Sequence, residues 1–222
     1  MLHDEKRSLD SLSILAKVAG GNTELKSKRN QIAYSQGDEA DSVFYVRAGA
    51  FKVTVLSAGG KEAGIAILRP ESFFGEECLA GHRLQLSTVT ALGEGVLFRL
   101  VKVDVARAIY DDREFSQLFM LYLMERNIQM QGNVVDYQLN SIEKRLGRLL
   151  LTLAGYGTEN RLDPIMPNVT QETLAEMIGS SRSNVNLFMN KFRNLGLIEY
   201  NDTITVKKSL MEMVLSETTA RN

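Results

Sequence analysis

The sequence predicts an α+β chain: an antiparallel β sandwich or barrel, then a long helix, then a winged helix-turn-helix. Three observations carry that class. From Asn30 to about Leu100 the pattern is short, alternating and punctuated by glycine. From Asp111 to about Asp136 the apolar residues change to helical spacing. From Thr170 two short helical segments meet at Gly179, and an alternating stretch follows Gly196.

In the first block FKVTVL (51–56) places Phe51, Val53 and Val55 on one side and Lys52 and Thr54 on the other, as a half-buried strand does. Breaks at QGDEAD, RAGA, SAGGKE and LGEG fall at the spacing of turns between short strands. The stretch FFGEECLAGHRLQLSTVT (73–90) is of another kind. A tight aromatic-glycine turn at Gly75 delivers two acids, Glu76 and Glu77, followed by a loop and an alternating segment. That arrangement suits a small ligand, yet its one cation, Arg83, sits in the loop.

In the second block Leu121, Met124, Ile128, Gln131 and Val135 follow a 3-4-3-4 spacing, the seam of a two-stranded coiled coil. A helix packed on its own sheet also produces a short apolar stripe. The polar Gln131 within the stripe and a length of roughly 25 residues tilt the reading toward a dimer seam. Asn140 or Ser141 then offers an N-cap for IEKRLGRLLLTLAGYG, so a bend is expected between Asp136 and Ser141. The domains expected are 1–110, a β effector domain; 111–139, a dimerisation helix and hinge; and 140–222, a winged helix-turn-helix.

The third block is the most specific. Thr170 caps a short helix with Leu174, Met177 and Ile178 inward. Gly179 suits the left-handed helix end, and Ser180 or Ser181 caps the next helix. On that helix Val185, Phe188, Met189 and Phe192 share a core face. Ser183, Leu187, Asn190 and Asn194 point the other way, with Arg182 and Asn186 beside them. IEYNDTITV alternates around an Asn-Asp turn and makes a small hairpin, or wing. From Met177 to Ile198 the chain carries Arg182, Lys191 and Arg193 and no acid. An acid-free second helix, small polar outward residues and a trailing wing together predict DNA binding through the major groove. Arg182 is the expected base reader, through a bidentate pair with guanine, and Leu187 suits a thymine methyl. Thr170, Ser181, Ser183, Asn184, Asn186, Asn190 and Lys191 complete the expected interface, with Lys191, Arg193 and the wing meeting phosphates.

Composition excludes other classes. The chain has 222 residues, 44% hydrophobic and 24% charged, and a net charge of −1. It contains no apolar run of about 18 residues, as a membrane span requires. MLHDEKRSLDSL lacks the apolar core of a signal peptide, so a cytoplasmic protein is expected. One cysteine, Cys78, leaves no internal disulfide and no multi-cysteine metal site. Two histidines and one cysteine supply no nucleophile–base pair, and no Gly-rich phosphate loop or HExxH motif is present, so no enzyme is expected.

The FGE turn of a β-roll, the long helix, the hinge and the IGSSRSNV–LGLI winged helix-turn-helix together resemble the cyclic-AMP receptor protein/FNR family of bacterial transcription regulators. The likeness runs from about Ala33 to Val206, with Gly179, Ser181, Arg182 and Val185 falling where the family's pattern wants them. It implies a cyclic-nucleotide-binding-like roll, a homodimer on a two-fold-related operator, and RNA polymerase as functional partner. It also implies departures. Ser183 and Leu187 stand where well-known members carry an acid and a second arginine, so a different half-site is expected. In nucleotide-binding members the FGE glutamate, here Glu76, meets the ribose. An Arg-Ser pair clamps the phosphate, and the corresponding positions are placed at Leu86 and Ser87, with Thr88 beside them. Arg126 falls where the family sets an arginine near that glutamate. The expectation is a pocket that does not take cyclic AMP in the usual mode; the alternative is a cyclic-nucleotide responder using Arg83 or Arg126 for the phosphate. A lone cysteine excludes the family's iron–sulfur cluster, and haem held by His82 or His3 is not expected. The effector, if there is one, is left unidentified.

Overall fold

The structure, a computed structural model, describes residues 23–155, 169–200 and 204–216. Its strands are β1 (Thr23–Ser27), β2 (Ile32–Tyr34), β3 (Ser42–Ala48), β4 (Phe51–Leu56), β5 (Glu62–Leu68), β6 (Phe73–Phe74), β7 (Thr88–Ala91) and β8 (Gly95–Val101), then β9 (Ile198–Tyr200) and β10 (Ile204–Val206). Its helices are α1 (Lys102–Asp111), α2 (Arg113–Leu139), α3 (Ile142–Ala154), α4 (Gln171–Ile178), α5 (Arg182–Asn194) and α6 (Lys208–Ser216). Antiparallel roll, long helix and helix-turn-helix follow one another as the sequence predicts. The chain divides into two compact units, Met1–Leu56 with Ile67–Gln131, and Ser57–Ala66 with Gly132–Asn222. That division falls inside α2.

The roll consists of two four-stranded sheets, ordered β1-β8-β3-β6 and β2-β7-β4-β5. β3 (SVFYVRA) is buried over its first five residues, as a strand covered on both faces must be. In β4, Phe51 and Val53 are buried as alternation predicts, but Thr54 is buried too and Val55 only partly. Thr54 lies opposite Thr88 of β7, so its hydroxyl faces another polar residue across the ladder. One aromatic cluster joins Phe44 and Phe74, stacked with centroids 5.1 Å apart, to Tyr34 and Phe51. A second centres on Phe73, which meets Phe119 and Tyr122 edge-on at 5.3 and 5.2 Å and so fixes the start of α2 on the sheet.

One feature differs from expectation. The segment after β8 coils into α1, whose buried residues are only Val105 and Ala108. Asp112 then breaks the helix with extended backbone, and its Oδ1 accepts from the Phe115 amide at 2.9 Å, capping α2. The bend between α2 and α3 lies where expected. Ser141, rather than Asn140, caps α3 by accepting from the Lys144 amide. Asp136, on the last turn of α2, receives Asn140 Nδ2 at 2.6 Å and the Arg148 guanidinium of α3.

In the second unit α3 buries Leu146, Leu150 and Leu153. Gly147 lets α6 approach: a Cβ there would stand 2.7 Å from Val214 Cγ2. The wing strands β9 and β10 pair antiparallel from Ile198–Val206 to Tyr200–Ile204. The Asn-Asp turn expected between them lies outside the described residues. His3 lies outside them as well.

Candidate functional site

The helix-turn-helix is assembled from local rules. Thr170 accepts from the Thr173 amide and starts α4. Gly179 ends it in the left-handed region (φ 61°), with Ser180 N–H to Ala175 C=O at 3.0 Å and Gly179 N–H to Glu176 C=O. Ser181 accepts from the Asn184 amide and starts α5. On α5 Val185, Met189 and Phe192 are buried and Phe188 half-buried, so the opposite face is free. That face presents Arg182, Ser183, Asn186 and Leu187, the last 61% exposed. The first turn of α5 holds no acid and the last holds Lys191 and Arg193. A helix N-terminus without acids keeps the positive end of its dipole available to an anion.

Not every residue expected at that interface has a free side chain. Thr170 spends its hydroxyl on the α4 cap, and Asn184 Nδ2 turns back to Ser180 Oγ at 3.1 Å. Asn190 accepts from the Arg193 guanidinium at 3.2 Å and donates to Asn186. Lys191 Nζ is 2.8 Å from Glu143 of α3, so a phosphate there would share it with an acid.

The roll holds the second site. Gly75 takes a positive φ of 78°, and a Cβ on it would lie 2.9 Å from the Ser42 carbonyl oxygen; only glycine turns the chain here. The turn swings Glu76 toward α2, where Arg126 pairs with its Oε1, while one turn earlier the Tyr122 hydroxyl donates to the Phe73 carbonyl. Burial raises the Glu76 carboxyl above the ordinary range, against the pull of Arg126. Its Oε2 is buried without a partner. Glu77 Oε1 accepts from the Leu86 amide at 3.4 Å. Thr88 accepts from the Gln36 amide at 3.0 Å.

Leu86 is not where the sequence reading put it. It is 50% exposed, whereas Gln85 is 3%, Ser87 9%, Val89 0% and Ala91 1%. Burial alternates through this stretch, with Gln85, Ser87, Val89 and Ala91 covered and Leu86 half exposed, although β7 itself begins only at Thr88. Gln85 is therefore the missed residue, and its Oε1 is buried with no hydrogen-bond partner. No sequence signal marks it, since the apolar residue of the pair is Leu86. Tyr34, also unanticipated, shares a hydrogen bond with Ser87, and burial together with nearby Glu77 pushes its hydroxyl far above its ordinary range. Arg83 and His82 sit on the exposed loop. Cys78 is buried, and burial raises its thiol.

The expected dimer residues Leu121, Met124, Ile128 and Val135 are 49–68% exposed in the single chain, and Gln131 is exposed beside them. Gln131 Nε2 donates to Asn127 Oδ1 at 2.8 Å, one turn back on the same helix.

Comparison with known proteins matches residues 24–112 to the cyclic nucleotide-binding domain and residues 144–209 to the Crp-like helix-turn-helix domain. The chain is 25% identical to a CRP-like cAMP-activated global transcriptional regulator of Mycobacterium tuberculosis (strain CDC 1551 / Oshkosh), over 77% of each chain. It is 26% identical to a global nitrogen regulator of Nostoc sp. (strain PCC 7120 / SAG 25.82 / UTEX 2576), over 82% of this chain and 83% of that one. A solved transcriptional regulator of the CRP family from Thermus thermophilus shares the fold with a TM-score of 0.72 at 23% identity, covering 86% of this chain and 96% of that one. Among the described residues no helix is long and apolar enough to cross a membrane.

Proposed function

We propose, on the premise that the chain belongs to the cyclic-AMP receptor protein/FNR family of transcription regulators, that it acts as a homodimer on a two-fold-related operator. The roll would sense an effector and pass its state through α2 to the winged helix-turn-helix, with RNA polymerase as functional partner. The observation that carries the DNA-binding half is α5: an acid-free helix, capped by Ser181, with Arg182, Ser183, Asn186 and Leu187 turned outward. Arg182 reads a guanine, Leu187 packs on a thymine methyl, and Lys191 exchanges Glu143 for a phosphate.

The roll does not respond to cyclic AMP in the usual mode on this reading, because Arg126 is held by Glu76 and Arg83 lies on the exposed loop. A second reading, a cyclic-nucleotide responder, is favoured by the name of the mycobacterial relative. It would need Arg126 to leave Glu76, or the exposed Arg83 to fold back.

Fluorescence anisotropy with labelled promoter DNA tests the proposal. Arg182→Ala should remove about 1–3 kcal/mol per half-site and relax preference at one guanine. Lys191→Ala should weaken all sequences alike and flatten the salt dependence. Unchanged operator affinity in Arg182→Ala would show that α5 is not the reading helix.

A further inference from the structure

Two buried acceptor oxygens in the roll have no partner: Gln85 Oε1 and Glu76 Oε2. Folded proteins leave few such atoms, because each loses water without replacing it. The stretches that carry them are joined by hydrogen bonds. Gln85 adjoins Leu86, whose amide reaches Glu77, and Ser87, which shares a hydrogen bond with Tyr34. Tyr34 in turn feels the charges of Glu77, Glu76 and Arg126. Charge there is unbalanced, with two carboxylates set against one guanidinium that Glu76 already holds. An anion entering this end of the roll would meet net negative charge, with that guanidinium already engaged.

Resting on the reading above that the roll is an effector domain, we propose that it takes an uncharged ligand rich in hydroxyl or N–H groups, with the Gln85 amide as the residue that sets this class and turns anions away. An amide offers a donor and an acceptor side by side, and rotation about its last bond exchanges them. It thus satisfies a neutral polar ligand in either orientation and neutralises a phosphate in neither. Glu76 Oε2 accepts a second hydrogen bond from the same ligand, while Arg126 keeps the other oxygen occupied.

Titration calorimetry on the full chain, with cyclic AMP and adenosine as probes, tests this. The two share base and ribose and differ in the charged cyclic phosphate. The wild type should prefer adenosine, or bind cyclic AMP no better. Gln85→Arg should raise cyclic-AMP affinity about tenfold or more, while Leu86→Arg, on the outward face, should leave it unchanged. Should Gln85→Arg fail to fold, judged by near-UV circular dichroism, Glu77→Gln keeps the inference exposed: removing one negative charge should raise cyclic-AMP affinity severalfold. Tighter binding of cyclic AMP than of adenosine by the wild type, a gain in Leu86→Arg but not Gln85→Arg, or no gain in any folded variant would each overturn it. Operator anisotropy run in parallel separates the two readings. A Gln85→Arg chain that gains cyclic AMP without any change in DNA affinity sustains the ligand class and breaks the sensor coupling.

Discussion

Arg126 and Glu76 show how one ion pair can be both a tether and a liability. Their side chains are 25% and 23% exposed, so the pair is partly desolvated and its loss is felt more than that of a surface bridge. Arg126→Ala should destabilise the first unit by about 1–3 kcal/mol at neutral pH, since it strands a half-buried carboxylate. The pH dependence has a definite sign. Burial raises the folded-state value of Glu76, so this group favours the fold most below the ordinary carboxylate range and loses that contribution as pH rises through the raised value. Without Arg126 the value rises further, and the deficit against wild type should shrink as pH falls from about 7 toward about 5. Urea unfolding at the two pH values measures it; a deficit that grows on acidification would mean that Arg126 acts otherwise than by holding Glu76 ionised.

At the scale of elements, the turn of the helix-turn-helix holds the described glycine position with least room for a side chain. Gly179 is left-handed, and a Cβ added to it would land on the Tyr137 hydroxyl at the end of α2, whose ring carries the Arg145 guanidinium 4.3 Å above it. Gly179→Ala should cost about 1–2 kcal/mol from backbone strain alone, with a further loss from displacing Tyr137. Adding Tyr137→Ala should restore the steric part and leave the backbone part, which a thermal-unfolding cycle of the four proteins resolves. A Gly179→Ala loss that is the same in the Tyr137→Ala background as in the wild type would remove Tyr137 from the account. This element was legible in the sequence because its instructions are local: Thr170, Gly179 and Ser181 each act within four residues of their partners. α1 was not, because two buried residues three apart give too little pattern in ten. The inward side of 85–91 was misread for a different reason. Leu86 and Ser87 follow from likeness to a motif, whereas in the fold Ser87 and Gln85 are the covered pair and Leu86 between them is half exposed. The pairing of Glu76 with Arg126, 50 residues apart, could be anticipated only through the family resemblance, and the orphaned Gln85 oxygen not at all, since it depends on which side chains fail to reach it.

For the whole molecule the decisive surface is the flank of α2. Leu121, Met124, Ile128 and Val135 are each about half exposed or more, in a row no part of the described chain covers. Burying such a row against a second copy offsets the loss of freedom on association. In the proposed homodimer, Ile128→Asp would set two carboxylates against each other there. Sedimentation should then find a monomer, and operator binding should weaken sharply; a wild type that is already monomeric at micromolar concentration would sink the claim.

α2 runs unbroken for 27 residues, yet its contacts with the two folds leave one stretch of its second half bare. Phe115, Phe119, Tyr122 and Arg126 answer to the roll, and Asp136 and Tyr137 to the helices beyond. From Gln129 to Val135 every residue is exposed. In a lineage descending from this chain, selection for a stable roll or a stable reading head would reach that span only through whatever lies on it. Drift there is tested by the neighbour alone, which makes it the place where a descendant could exchange one companion for another while both folds stay as they were.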